Sequence, residues 1–234
     1  MRELVVVSGG TKGIGKALAE KFAQQGYDVA VCARSQQDLE DLKSDIESKY
    51  QVNCFIKKTD VADKAEVLEF GEFVKKIQSP IAVLVNNAGV FVQGNIISEE
   101  EGTLEKQIST NLYSAYHLTR SLAGKFLEQK KGYIFNMCSI ASLKAYDNGG
   151  SYTISKFALL GFSKSLREEF KPFGVKVSSV MPGATLTNSW AGVDLPSERF
   201  IQPEDVAATI WSAFSLSDSV VIEEIIMRPQ LGDI

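Results

Sequence analysis

Hydrophobic positions along the chain alternate between two spacings. Short β-branched runs such as Leu4 to Ser8, and the continuous apolar run Ile81 to Val85, are typical of strands buried on both faces of a sheet. Between such runs, apolar residues recur three and four positions apart, as over Gly13 to Gln25, which indicates amphipathic helices. In chain order, the pattern predicts strands over Leu4 to Ser8, Val29 to Ala33, Val52 to Ile56, Ile81 to Val85, Tyr133 to Cys138, Val175 to Val180 and Val220 to Met227, with helices over Gly13 to Gln25, from Ser35, over Asp63 to Ile77, Glu99 to Gln129 and Tyr152 to Phe170, and from Pro203.

Strands that alternate with helices predict βαβ units, which form a mostly parallel sheet with right-handed crossovers. We therefore expect an α/β fold with one doubly wound sheet of about seven strands, of the Rossmann type, and helices on both faces. The expected organisation is a single catalytic domain over residues 1–234. The stretch from Gly183 to Phe200 lacks clear periodicity, which favours a short substrate lid around residues 183–201.

Composition and charge indicate which binding partners and which cellular location to expect for the protein. The chain has 234 residues, 44% hydrophobic and 23% charged, and a net charge of -4, so we expect no nucleic-acid partner. No apolar run approaches the roughly 18 residues of a membrane span, and no signal-peptide pattern begins the sequence. Three scattered cysteines (Cys32, Cys54 and Cys138) and one histidine favour reduced thiols in the cytoplasm and no metal site.

A glycine-rich segment, Gly9 to Gly15, separates the first strand from the first helix. Free N–H groups at such a helix start bind phosphates, and glycines let a pyrophosphate approach the backbone. Gly10 to Lys16 also resembles a P-loop, but Ala17 stands where a P-loop has Ser or Thr for magnesium, and Asn86-Asn87 follow the fourth strand in place of an Asp. These departures exclude a nucleotide hydrolase and leave a methyltransferase as the alternative to a dinucleotide enzyme.

The end of the second strand indicates which dinucleotide is preferred. An acidic residue here usually binds the ribose 2′-hydroxyl, whereas this strand leads into Arg34 without a carboxylate. Arg34 and Lys12, in the glycine-rich segment, could pair with a 2′-phosphate. The sequence therefore predicts that NADP(H) is preferred over NAD(H).

Four polar residues form a candidate catalytic set. Tyr152 and Lys156 are four positions apart, which places them one turn apart on one helix face. A nearby ammonium would lower the pKa of a tyrosine, which is otherwise about 10. Ser139 follows the fifth strand, where ligands sit in open α/β sheets, and Asn111 lies in the fourth helix, in reach of a polar relay toward Lys156.

The motifs together resemble those of the short-chain dehydrogenase/reductase family. They are, in order, Ser8 to Gly15, Asp60-Val61, Asn86 to Gly89, Asn111, Ser139, Tyr152-x-x-x-Lys156 and Pro182-Gly183. The resemblance implies an NADP-dependent enzyme that interconverts a carbonyl and a secondary alcohol. In it Tyr152 would donate the proton, Ser139 would orient the carbonyl, Asn111 would support a water-linked proton path, and Lys156 would lower the pKa of Tyr152 and hold the nicotinamide ribose.

The resemblance also extends the set of residues expected to hold the cofactor. Asp60 and Val61 would lie near the adenine, Asn86 to Gly89 would support the cofactor, and Pro182-Gly183 would pass under the nicotinamide. The full expected set is Gly9, Thr11, Lys12, Gly13, Ile14, Gly15, Arg34, Ser35, Asp60, Val61, Asn87, Ala88, Gly89, Tyr152, Lys156, Pro182, Gly183, Thr185 and Thr187.

Family resemblance further implies a homodimer or homotetramer. Members that reduce 3-oxoacyl thioesters dock an acyl carrier protein on basic positions that Lys130, Lys131 and Lys171 resemble. The alternative function, from another class, is a sensor or scaffold that binds NADP without turnover.

Overall fold

The computed structural model describes residues 2–190 and 192–234, and it confirms the predicted sheet. Seven strands, all paired in parallel, lie in the order β3-β2-β1-β4-β5-β6-β7. The direction of winding reverses between β1 and β4, which creates the crevice where open α/β sheets bind ligands. The strands are β1 (Leu4–Ser8), β2 (Asp28–Ala33), β3 (Cys54–Lys58), β4 (Ile81–Asn86), β5 (Gly132–Met137), β6 (Val175–Pro182) and β7 (Glu224–Met227).

Helices cover both faces of the sheet. They are α1 (Gly13–Gln24), α2 (Gln36–Tyr50), α3 (Lys64–Lys75), α4 (Thr103–Ile108), α5 (Ser114–Gln129), α6 (Gly150–Phe170) and α7 (Pro203–Phe214). A π-helical turn, Ser109–Tyr113, joins α4 to α5, and 3₁₀ turns span Ile140–Ser142, Lys171–Phe173, Asn188–Trp190 and Ser197–Arg199. Among the helices of the described residues, none has the length and apolar character needed to cross a membrane.

The core forms two layers because successive strand residues point to opposite faces. Val5 packs with Phe22 of α1 and Ile210 of α7 on one face, and Leu4 packs with Phe126 of α5 on the other. Every residue of β1 is buried, which explains why its sequence shows no polar alternation.

Two helix starts follow directly from local sequence. Ser35 caps α2, since its Oγ accepts a hydrogen bond from the backbone N of Asp38 at 3.2 Å. Asp63 caps α3 by accepting from the backbone N of Ala65 at 2.7 Å. These caps place the loops after β2 and β3 at the edge of the sheet where β1 also ends.

Several predicted boundaries differ from the structure; the third strand, for example, is predicted over Val52 to Ile56 and spans Cys54–Lys58. The single helix expected over Glu99 to Gln129 is α4, a π-helical turn and α5, because a wider turn at Asn111 interrupts the α-helical spacing. The last strand starts at Glu224, not at Val220, because the backbone N of Val220 turns back to the carbonyl of Ser217. Helix α6, predicted to begin at Tyr152, begins two residues earlier, at Gly150.

Candidate active site

The predicted site residues converge at the carboxyl ends of the central strands. Gly9 follows β1, Asn87 follows β4, Ser139 follows β5 and Gly183 follows β6. Because the strands are parallel and adjacent, their loops meet at one edge of the sheet.

The glycine-rich segment packs so closely that side chains are excluded. Gly9 has a φ of +67°, and a Cβ there would lie 2.9 Å from the Cα of Ala88. A Cβ on Gly15 would lie 2.2 Å from the carbonyl oxygen of Gly9 and 2.5 Å from Nδ2 of Asn87. Lys12, the N-cap of α1, makes no side-chain cap, which leaves the first-turn N–H groups available to a phosphate.

Asn87 connects this segment to β4. Its Nδ2 donates to the carbonyl oxygens of Ser8 and Gly9, each at 3.0 Å. The Ser8 hydroxyl oxygen accepts from the backbone N of Asn87 and of Ala88, each at 3.1 Å. The Ser8 hydroxyl therefore holds the loop after β1 and the loop after β4 together.

At the expected 2′-phosphate position, the two cations differ in their surroundings. Arg34 is exposed at the end of β2, whereas Lys12 Nζ lies 2.8 Å from Oδ2 of Asp38. The Lys12 ammonium holds the pKa of Asp38 below its usual value. We did not predict this ion pair, although the position of Asp38 three residues after the cap Ser35 is visible in the sequence.

The expected adenine residues lie in the loop after β3. The backbone N of Asp60 donates to Oε2 of Glu66 at 2.7 Å, and Oδ1 of Asp60 accepts from the backbone N of Ala62 at 3.0 Å. Val61 is partly buried against the apolar layer beneath the sheet. The contacts of Asp60 shape the loop on the α3 side of the crevice.

Lys156 is buried, and its ammonium donates to the carbonyl oxygen of Met137 at 2.8 Å. Burial lowers the pKa of Lys156 to about 8. Its Nζ lies 5.7 Å from the centroid of the Tyr152 ring. The spacing of four residues thus brings the two side chains together, as expected for one helix face.

The pKa of Tyr152 differs from the sequence-based expectation. Burial raises it above its ordinary value, and the nearby Ser139 hydroxyl acts in the opposite direction. The ammonium of Lys156 donates to the carbonyl oxygen of Met137 and not to the Tyr152 hydroxyl. Tyr152 is therefore a neutral phenol near neutral pH.

Ser139 has two roles at once. Its Oγ accepts from the backbone N of Ala141 at 3.1 Å and caps the 3₁₀ turn after β5. Ser142 Oγ accepts from the backbone N of Ser139 at 3.2 Å and donates to the carbonyl oxygen of Lys156 at 2.8 Å. The turn thereby joins β5 to the catalytic helix and holds the Ser139 hydroxyl beside Tyr152.

Asn111 contacts the backbone of the β4–α4 loop and not Lys156 itself. Its Oδ1 accepts from the backbone N of Val90 at 2.7 Å, and its Nδ2 donates to Val90 O at 3.0 Å and to Ser155 Oγ at 2.9 Å. A Cβ on Gly89 would lie 3.2 Å from Asn111 Oδ1 and 3.6 Å from Lys156 Nζ. A side chain at position 89 would therefore occupy the space between the Asn111 amide and the Lys156 ammonium.

The segment after β6 packs against the glycine-rich segment. Thr185 is buried, its Oγ1 donates to the carbonyl oxygen of Gly183 at 3.0 Å, and its backbone bridges to Ile201. A Cβ on Gly13 would lie 2.9 Å from Cγ2 of Thr187. The segment expected to be a lid thus contacts the glycine-rich segment through Thr187.

Aromatic side chains that we did not predict lie beside Tyr152. The ring of Phe91 packs edge-to-face on Tyr152 with centroids 4.8 Å apart. Burial, followed by the nearby Tyr152, raises the pKa of Tyr146 to about 12. The only available signal was that Phe91 follows Gly89 by two positions and Tyr146 precedes Tyr152 by six, and neither spacing indicates contact.

The family assignment follows from comparison with known proteins. Residues 3–196 match the model of the short chain dehydrogenase family. The chain is 31% identical to a sepiapterin reductase of Chlorobaculum tepidum over 100% of this chain and 99% of that protein. It is 29% identical to a diacetyl reductase [(S)-acetoin forming] of Staphylococcus epidermidis, over 94% of this chain and 84% of that protein.

A solved structure extends the likeness to three dimensions. A metagenomic short-chain oxidoreductase in complex with NADP has a TM-score of 0.85 and 28% identity, and the match covers 97% of each chain. The chain belongs to the short chain dehydrogenase family, and it is an enzyme, an oxidoreductase of that family.

Proposed function

We propose that this oxidoreductase uses NADP(H) to interconvert a carbonyl and a secondary alcohol by hydride transfer. The observation that carries the proposal is the contact of Ser139, Tyr152 and Lys156 beside the glycine-rich crevice. A hydroxyl pair next to a buried ammonium suits protonation of a carbonyl oxygen.

The crevice fits a dinucleotide. Gly9 and Gly15 leave no room for side chains, and the first-turn N–H groups of α1 have no side-chain cap, so Gly9 to Gly15 would hold the pyrophosphate. Arg34 and Lys12 would contact the 2′-phosphate, and Lys156 would hold the nicotinamide ribose. When bound, the cofactor supplies or accepts the hydride.

Tyr152 is the proton donor in this proposal. Because burial raises its pKa, the phenol carries its proton near neutral pH and can pass it to the carbonyl oxygen of a substrate. Ser139, whose hydroxyl lies near Tyr152, would hold that oxygen in place. Lys156 carries its charge below a pKa of about 8 and would stabilise the phenolate that remains.

The NADP complex of the metagenomic oxidoreductase supports the choice of cofactor, together with the exposed Arg34 and the missing carboxylate at the end of β2. The Lys12–Asp38 ion pair means that binding a 2′-phosphate requires Lys12 to be shared with, or released from, Asp38. The preference for NADP(H) therefore rests chiefly on Arg34.

The names of two relatives, a sepiapterin reductase and a diacetyl reductase, support ketones and diketones as the first substrates to test. Support for an acyl carrier protein is weaker, because Lys131 is paired with Glu3 and Lys171 with Glu168. A 3-oxoacyl thioester remains in the substrate panel for comparison.

The test is NADPH oxidation by the purified protein with sepiapterin, diacetyl and a 3-oxoacyl thioester, each also measured with NADH. We expect turnover of at least one of the carbonyls and a higher kcat/KM with NADPH. Tight binding of NADPH without turnover of any substrate would contradict the proposal and favour a sensor.

A further inference from the structure

The loop that follows β4 is held by a buried glutamine. Gln107 is fully buried in α4. Its Oε1 accepts from the backbone N of Val92 at 3.2 Å, and its Nε2 donates to Val92 O at 3.3 Å. Asn111 holds Val90 in the same two-bond manner. Val90 and Val92 are therefore each held by a side-chain amide, in the way that alternate residues of an edge strand are held by hydrogen bonds from the neighbouring strand.

The same loop interlocks with the start of the catalytic helix. The backbone N of Gly94 donates to the carbonyl oxygen of Asn148 at 3.0 Å. A Cβ on Gly150 would lie 2.3 Å from the carbonyl oxygen of Gly94, so only glycine fits at the first residue of α6. The two backbones thus touch immediately before Tyr152.

Glu99, from the same loop, takes the place of a helix cap on α6. The preceding residue, Gly149, provides no side-chain cap. Ser151 is fully buried; its hydroxyl donates to Oε1 of Glu99, and its backbone N donates to Oε2 at 3.4 Å. A carboxylate at a helix N-terminus is also favoured by the helix dipole. The buried Ser151 hydroxyl has Glu99 as its hydrogen-bond acceptor.

We propose that Glu99 is a positioning residue for the reaction: acting through Ser151, it fixes the first turn of α6 and hence the place of the Tyr152 hydroxyl beside Ser139. This inference rests on the proposed function. Tyr152 is then held on two sides by one loop, by Phe91 at its ring and by Glu99 at the residue before it. Misplacement of a catalytic group by a fraction of an ångström is enough to slow proton transfer.

The experiment compares Glu99→Ala, Glu99→Gln and Ser151→Ala with wild type. Glu101→Ala is the matched control, because Glu101 lies in the same loop, is exposed and carries the same charge. The readouts are kcat and KM for the carbonyl substrate, the Kd of NADPH, and amide hydrogen exchange in the first turn of α6.

We expect Glu99→Ala and Ser151→Ala to lower kcat by about tenfold or more, with the Kd of NADPH changed less than about twofold. Glu99→Gln keeps an acceptor for Ser151 and should recover most of kcat. Hydrogen exchange should accelerate in the first turn of α6 for Glu99→Ala and not for Glu101→Ala.

Unchanged exchange in the first turn of α6 would overturn the inference whatever the activity, as would an unchanged kcat in Glu99→Ala. A Glu99→Gln variant as slow as Glu99→Ala would also overturn it. A wild-type protein that turns over no carbonyl contradicts the proposed function instead, and the exchange comparison still decides whether Glu99 fixes the helix start.

Discussion

The ammonium of Lys156 donates to the carbonyl oxygen of Met137, the last residue of β5. This bond places a charge in the protein interior, next to the Tyr152 ring, before any substrate is bound. Burial of the charge is unfavourable, which is why the pKa of Lys156 falls to about 8. The buried Lys156 ammonium therefore lowers the stability of the fold while it supplies the charge that the proposed reaction needs.

Replacing Lys156 should separate stability from activity. A pKa lowered from 10.5 to about 8 means that burying the Lys156 charge costs about 3 kcal/mol of stability at neutral pH. Loss of the hydrogen bond to Met137 opposes this gain in the variant by about 1–2 kcal/mol. We expect Lys156→Met to unfold at a Tm no lower than wild type while kcat falls at least about a hundredfold. Thermal unfolding and steady-state kinetics at pH 7 provide the check. A variant with a much lower Tm would show that the ammonium stabilises the fold.

The same group predicts a pH dependence of stability. Between its folded pKa of about 8 and its unfolded value of 10.5, Lys156 is protonated in the unfolded chain and neutral in the folded one. Because the unfolded state binds more protons there, this group makes folding more favourable as the pH rises. The stability of wild type relative to Lys156→Met should therefore increase from pH 8 to pH 10.5 in denaturant titrations. A flat or falling difference would contradict the lowered pKa of Lys156.

Removing the partner of Lys12 should strengthen cofactor binding. Asp38→Asn releases Lys12 from a weak, solvent-exposed ion pair, so we expect a Kd for NADPH up to about fivefold lower. The Kd of NADH should change less, because it lacks the 2′-phosphate. Asp45→Asn, a charge loss at an exposed position of the same helix, is the control. Equal effects of both substitutions on NADPH would show that only net charge matters.

Close packing at Gly15 should make it intolerant of even a methyl group. A Cβ there would lie 2.2 Å from the carbonyl oxygen of Gly9, so Gly15→Ala should cost about 1–3 kcal/mol of stability and abolish NADPH binding. Gly124 of α5 has no atom near its Cβ position, and Gly124→Ala should instead stabilise the protein by up to about 1 kcal/mol. Denaturant unfolding and NADPH fluorescence measure both effects. Normal NADPH binding by Gly15→Ala would contradict the proposal that Gly9 to Gly15 hold the pyrophosphate.

Much of the fold could be predicted because each strand is a short apolar run flanked by helical spacing. Ser139 and Gly183 could be placed for a related reason, since each lies within two residues of the end of a strand and parallel strands end at one edge. The π-helical turn Ser109–Tyr113 could not, because one inserted residue barely disturbs a helical hydrophobic pattern. Contacts made by Asp38 and Glu99 also could not be foreseen, because they depend on how segments distant in sequence meet.

The central claim is that Tyr152 supplies the proton while the cofactor crevice works independently of it. The most direct measurement is single-turnover oxidation of bound NADPH by a carbonyl substrate in wild type and Tyr152→Phe, with the Kd of NADPH measured for both. We predict that Tyr152→Phe binds NADPH within about twofold of wild type and oxidises it at least about a hundredfold more slowly. Equal oxidation rates in the two proteins would contradict the assignment of Tyr152 as the proton donor.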